Sequence, residues 1–433
     1  MFPKFYNYKL DNGIKILLIP IANSKNIATS LTFDIGYLEE TKKEDGLAHL
    51  TEHIISRYIT NNTKIKDIKS NGHYVYSNAH TNHFKTEYHI YSLNKNLYDI
   101  LDSYVSLYNF NRTDRNLFYK EMGAVIVELK QIISNKQKYI FFKNMPELVF
   151  GKNEKMVNDP VNEIKNLVKL EECDLIHFVR KYYVPTNSII TISGDFKKQD
   201  ILKYIKSKFN KLEGGVKRHK RLIKIPKIIN PKYNFEISSS SKLISVYLNF
   251  TLPSNKNNKS LATLHILKKI LVELNDSSIL FKRLRTKLGI VYSPNITKYI
   301  NNHYGILSIH YNIEEKNYEK GFEELINILN ELKKDKIDQN LFDLAKDKIM
   351  YDINLAKNDR TPEEFLYLTN SILSNKELLN PLEFYNKYIK DITLNDIRNW
   401  CKKIFVKNNS YLCLIGPKDK FKNFSIKQMK RLN

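Results

Sequence analysis

Apolar and polar positions in this chain switch between a period of two and a period near 3.6. Tyr8-Lys9-Leu10, then Asp11-Asn12-Gly13, then Ile14 to Pro20 read as a strand, an Asn-Gly turn and a second strand. Residues 26–35 are β-branched and apolar, which predicts a buried strand. A helical period follows over about 46–59 and again over 63–70, ending at the turn Asn71-Gly72. Residues 74–91, rich in aromatic and β-branched side chains, predict two more strands. An amphipathic helix is expected over 94–109, and Thr113-Asp114 then caps a long one over about 115–134. A helix over 173–182, a Pro185 turn, a buried strand to Gly194 and a helix over 199–209 complete the first half.

Residues 211–231 break this pattern, being rich in Gly, Pro and Lys, and are expected to link a domain of 1–210 to one of 232–433. The second half repeats the first. Phe405 to Ser410 and Gly416 echo Tyr183 to Ser188 and Gly194 at a constant offset of 222. Residues 242–252 mirror the early strand, and 319–334 and 339–356 mirror the two helices of the first half. Residues 261–274 stand where the first helix stood. The expected class is α+β: two similar α/β domains, each a mostly antiparallel sheet with helices packed on it.

The helix over 46–59 carries the chemistry. His49, Glu52 and His53 stand at i, i+3 and i+4 and share one helix face. Two imidazoles one turn apart can grip a zinc ion, with a carboxylate reaching a water on it, in the order His-x-x-Glu-His. A solvated helix would carry the same five residues, so the pattern calls for a third ligand from another element and an open fourth position. On the helix over 115–134, Glu121 and Glu128 lie two turns apart on one face, among Met122, Val125, Ile126 and Leu129. An acid there is exposed, paired or metal-bound, because burial alone is expensive. His80, His83 and His89 lack helical spacing and read as strand residues, not ligands.

Composition narrows the class. An apolar share of 42% is that of a folded chain. Cys173, Cys401 and Cys413 form no metal or disulfide pattern and fit a reducing compartment. No signal-peptide pattern opens the chain, and no apolar run approaches a membrane span, so a cytoplasmic protein without a membrane partner is expected. The net charge of +24 raises nucleic acid as a partner, but the lysines are scattered and no nucleic-acid fold signature occurs, so none is expected.

The zinc-type helix, the Glu-rich helix 75 residues after His53 and the two similar halves together resemble the pitrilysin or insulinase family of zinc peptidases, in its short two-domain bacterial form. The resemblance implies the two-domain fold of the mitochondrial processing peptidases. It implies one zinc per chain on His49, His53 and Glu128, Glu52 as general base, and Glu121 behind a ligand. It further implies that Asn78 and Ala79, in Ser77-Asn78-Ala79-His80-Thr81, lie on an edge strand to which a substrate peptide adds. Leu284 to Ser293 resembles the family's Arg…Gly-Leu-x-Tyr element, making Arg285 and Tyr292 the pair on the scissile carbonyl. The stretch Ile54 to Tyr58 departs from the family's usual residues after the second histidine. The activity implied is endopeptidase cleavage of unfolded peptides (leader, presequence or other short peptides) in a closed chamber. A homodimer supplying Arg285 and Tyr292 in trans would complete the site. The alternatives are a heterodimer with a zinc-less homologue and a non-catalytic assembly subunit.

Overall fold

The computed structural model describes residues 2–151, 155–216, 230–238, 242–254, 257–301, 303–334, 336–359, 361–374 and 376–432. Of the expected linker, residues 217–229 lie outside these. Contacts divide the chain into two compact units. One comprises Met1–Ile133, Asp159–Arg221 and Asp359–Leu378; the other comprises Ser134–Asn158, Leu222–Asn358 and Leu379–Asn433.

The first unit is built on strands β1 (Tyr6–Lys9), β2 (Lys15–Pro20), β3 (Asn26–Phe33), β4 (Val75–Thr81), β5 (Thr86–Leu93) and β6 (Ser188–Gly194). Their order is β1-β2-β6-β3-β5-β4. β6 arrives late in the chain yet inserts between β2 and β3, parallel to the first and antiparallel to the second. All other pairs are antiparallel. Its helices include α1 (Leu47–Thr60), α2 (Thr63–Ser70), α3 (Leu97–Leu107) and α4 (Arg115–Ser134), the last opened by Asp114, whose Oδ1 accepts from the Leu117 N–H at 2.9 Å.

Strand alternation gives the sheet two apolar faces. Ile16, Leu18, Leu31 and Ile190 point to one side and join Leu50 and Ile54 of α1, Ile100 and Tyr104 of α3, and Phe118 and Val125 of α4 in a single core. Leu17, Ile19 and Ile189 point to the other side, where Phe365, Leu368, Ile372 and Leu373 cover them. A hydrogen bond of 2.7 Å between the Thr191 and Thr369 hydroxyls pins that cover.

The second unit carries β7 (Lys232–Ile237), β8 (Leu243–Leu252), β9 (Asn295–Ile300), β10 (Gly305–Glu314) and β11 (Ser410–Gly416), in the order β7-β11-β8-β10-β9. β7 and β11 are parallel and the rest antiparallel. This is the order of β2-β6-β3-β5-β4, strand for strand. The repeat extends to register: Phe33 faces Ser188 as Phe250 faces Ser410. Two similar α/β units with mixed, mainly antiparallel sheets are therefore the architecture. Among the described residues no helix is long and apolar enough to cross a membrane.

Candidate metal centre

The first turn of α1 is held from outside the helix. Gly46 enters it at φ 91° and ψ −6° and offers no side-chain cap. Glu40 supplies one instead, accepting from Gly46 N at 3.3 Å and Ala48 N at 2.6 Å. Burial pushes the Glu40 carboxyl well above the usual carboxylate range, against the pull of these two bonds. Leu47, Leu50 and Ile54 of α1 anchor in the core, which leaves His49, Glu52 and His53 on a shared side. His49 and Glu52 are each only 8% exposed.

From α4, Glu128 reaches the two imidazoles. His49 Nε2 lies 3.6 Å and His53 Nε2 3.7 Å from the same Glu128 oxygen, Oε2. The rings stand edge to face, 5.0 Å between centroids. One ligand atom from each of the three residues lies within 4.8 Å of the other two. Around a tetrahedral zinc with bonds of about 2.0–2.1 Å, donor atoms are about 3.3 Å apart, and the two Nε2–Oε2 distances of 3.6 and 3.7 Å stand within a few tenths of an ångström of that. Two nitrogens and one carboxylate oxygen are also the donor chemistry zinc takes. The residues fit.

The far sides of both rings meet carboxylates. His53 Nδ1 is 3.3 Å from Glu121 Oε2, and the other Glu121 oxygen accepts from Arg57 Nε at 2.9 Å. His49 Nδ1 is 3.5 Å from Oε1 of Glu163, which sits on the helix Pro160–Leu167. Each ring thus turns Nε2 to the donor cluster and Nδ1 to an acid, the arrangement that holds a metal-binding imidazole in one tautomer. Without metal, the His49 and His53 contacts hold Glu128 well below the usual carboxylate range. Burial opposes charge on His49, but Glu128 and Glu163 outweigh it and push that ring up to about 10. The Tyr37 phenol stands in the field of Glu163, Glu52, Glu40 and Glu128, and burial together with those charges raises it well above its ordinary value. A cluster this rich in carboxylates favours a cation.

The other expected residues fall into two groups. Asn78 and Ala79 lie on β4, the terminal strand of its sheet. Ala79 N donates to Asn78 Oδ1 at 2.9 Å, so this edge N–H is held by its own neighbour. His80 and His89 are on β4 and β5, and His83 is in the turn between them; the one group of metal-type side chains among the described residues is His49, His53 and Glu128. In the second unit, Arg285 lies on the π-helical segment Phe281–Lys287 with its guanidinium carbon 4.8 Å above the Tyr292 ring, and Tyr292 is 79% exposed. Glu40, Arg57 and Glu163 went unread in the sequence. Glu163 is 114 residues from His49 and follows Asp159-Pro160, where an acid suits any helix start, so nothing local marks it.

Comparison with known proteins agrees with this geometry. Residues 15–156 match the family described as insulinase (peptidase family M16), and residues 169–349 match the peptidase M16 inactive domain. An uncharacterized zinc protease of Rickettsia felis is 22% identical over 422 residues, covering 95% of this chain and 97% of the relative. Among solved structures, a protease from Helicobacter pylori superposes with a TM-score of 0.83 at 20% identity, covering 96% of this chain and all of its own. The periplasmic protease PqqL from Escherichia coli gives a TM-score of 0.82 at 17% identity, with 99% of this chain aligned to 50% of PqqL. That last match corrects the expectation of a cytoplasmic protein: a protease with this fold works in the periplasm, and the reading from the first residues does not stand against it.

Proposed function

We propose that this chain, which belongs to the insulinase family of zinc peptidases (peptidase family M16), hydrolyses internal bonds of unfolded peptides with one zinc held by His49, His53 and Glu128. It is a zinc-dependent peptidase, and the observation that carries the site is the convergence of two Nε2 atoms on one Glu128 oxygen at 3.6 and 3.7 Å. Bound zinc supplies Lewis acidity toward a water and a carbonyl. Glu52, buried on the same helix face, takes the proton of the attacking water and passes it to the leaving amine. Glu121, tied to Arg57, orients His53. The substrate backbone adds to the β4 edge beside Asn78 and Ala79, with the Asn78 side chain swinging away from the Ala79 N–H. Arg285 and Tyr292 stabilise the carbonyl oxyanion, each donor contributing about 3 kcal/mol.

In this reading Arg285 and Tyr292 act on a peptide bound to the zinc set of a second copy, so two chains build one closed chamber that admits unfolded peptides. The alignment of this chain to 50% of PqqL supports it, since PqqL is long enough to hold a second half of the same size. The place of work is the periplasm, as for PqqL. Substrates are leader, presequence or other short peptides.

The test is a mass-spectrometric digest of a peptide mixture by the purified chain and by Glu52→Gln, with zinc content measured in both. Cleavage by the wild type alone, with zinc in both, is expected. Zinc in neither would overturn the ligand set; zinc in both without cleavage would point to an obligate heterodimer or a very narrow substrate. Mixing Glu52→Gln with Tyr292→Phe restores activity if the oxyanion pair acts in trans and leaves it lost if it acts within one chain.

A further inference from the structure

Each imidazole of the metal set has an acid behind it, but the two acids are held differently. Glu121 shares its charge with Arg57. Glu163 has no such partner: among the described residues no Lys or Arg pairs with it, although it is 5% exposed. Its Oε1 and the His49 Nδ1 are both buried and neither makes a well-formed hydrogen bond elsewhere; they face each other at 3.5 Å. A buried carboxylate oxygen and a buried ring nitrogen, each without another hydrogen-bond partner, have one use for each other: an N–H donated from Nδ1, which leaves Nε2 with its lone pair free.

The backbone makes room for this contact. A Cβ built on Gly46 would lie 2.8 Å from Glu163 Cγ and 3.0 Å from Leu167 Cγ. Only a residue without a side chain at the entry to α1 lets the helix Pro160–Leu167 bring Glu163 up to His49. Asp159 in turn caps that helix, its Oδ1 accepting from Val161 N at 3.1 Å.

We propose that Glu163 is a positioning residue of the metal centre, fixing the tautomer and ring orientation of His49 through Nδ1 while Gly46 keeps its approach open. This rests on the reading of His49, His53 and Glu128 as the metal set. The role is distinct from that of Glu121, because Glu163 acts on the other ring and comes from a different element.

The experiment measures zinc affinity of the full chain by competition with a chromophoric chelator, and the visible spectrum of the cobalt-loaded form, for wild type, Glu163→Gln, Glu163→Ala and His49→Ala. Outer carboxylates on metal-bound imidazoles change affinity by about 10–100-fold. Glu163→Ala is expected to weaken zinc by that factor and to alter the cobalt bands. Glu163→Gln, whose amide oxygen still accepts from Nδ1, is expected to lose less. Melting of the metal-free proteins separates this from a structural role: the metal-free midpoints of the Glu163 variants should stay near wild type. Affinity within about twofold of wild type for both variants, or a loss matched by collapse of the metal-free fold in both, overturns the inference. If His49→Ala itself still binds zinc normally, it is the metal set that fails.

Discussion

Gly46→Ala is the perturbation whose size the structure sets most directly. Gly46 has φ 91°, a region where any L side chain is strained, and a left-handed non-glycine residue costs roughly 1–2 kcal/mol. Gly72 has a comparable φ of 74° but open space around it, with no heavy atom within 4 Å of an added Cβ. Gly72→Ala therefore carries the backbone term alone. At Gly46 the added methyl meets Glu163 Cγ at 2.8 Å and Leu167 Cδ2 at 3.1 Å, and Leu167 is fully buried in the core. Overpacking of this kind costs about 1–3 kcal/mol more. The sum is about 2–5 kcal/mol for Gly46→Ala against about 1–2 for Gly72→Ala. For a unit near 200 residues, 1 kcal/mol moves the midpoint by about 2–4 °C, so the excess destabilisation is roughly 2–12 °C. Calorimetry of the two metal-free variants beside wild type reads it. Zinc affinity should also fall for Gly46→Ala, because Glu163 is the group displaced, and stay unchanged for Gly72→Ala. Equal shifts in the two variants would refute the packing argument; a large shift with unchanged zinc affinity would refute the link to His49.

Three further outcomes follow from named groups. Glu52→Gln should retain zinc and lose about 10²–10⁴-fold in kcat, checked by single-turnover cleavage with metal analysis. Tyr292→Phe should lose about 10²–10³-fold in kcat with zinc affinity unchanged, since the phenol is not one of the proposed zinc ligands. Burial raises the Cys401 and Cys413 thiols, Cys413 to about 12, while Cys173 is exposed. A folded sample treated with an alkylating reagent near neutral pH should therefore carry one label, on Cys173, and three only after unfolding, read by intact mass.

Local patterns and tertiary arrangement divided the information in this chain along physical lines. Helix periods are short-range, so α2 spans Thr63–Ser70 and α4 spans Arg115–Ser134 as the spacing predicts, and α1 runs one residue later than expected at each end. The candidate ligand pair His49 and His53 and the proposed base Glu52 were legible for the same reason: they lie within one helical turn or so of each other. Glu128 was legible as an unusual acid in apolar company, and the family resemblance implied its role. The repeat at offset 222 already indicated two similar sheets.

Strand order was not legible. β6 pairs with β2 and β3 from more than 150 residues away, and β-pairing is decided by which faces the core can bury, not by neighbours in sequence. The cover on the second face of the first sheet was hidden likewise, since Phe365 and Leu368 come from a stretch that reads as part of the other half. Glu40, Arg57 and Glu163 are ordinary surface-type residues in the sequence. They became parts of the metal centre because packing took Glu40 and Glu163 out of water and left them a helix terminus and an imidazole as partners. The sequence by itself marked His49, Glu52 and His53 as the candidate ligand pair and base, because those lie one turn apart. Only the tertiary structure decided which acids stand behind the imidazoles, because a buried carboxylate must find its partner wherever the fold brings one.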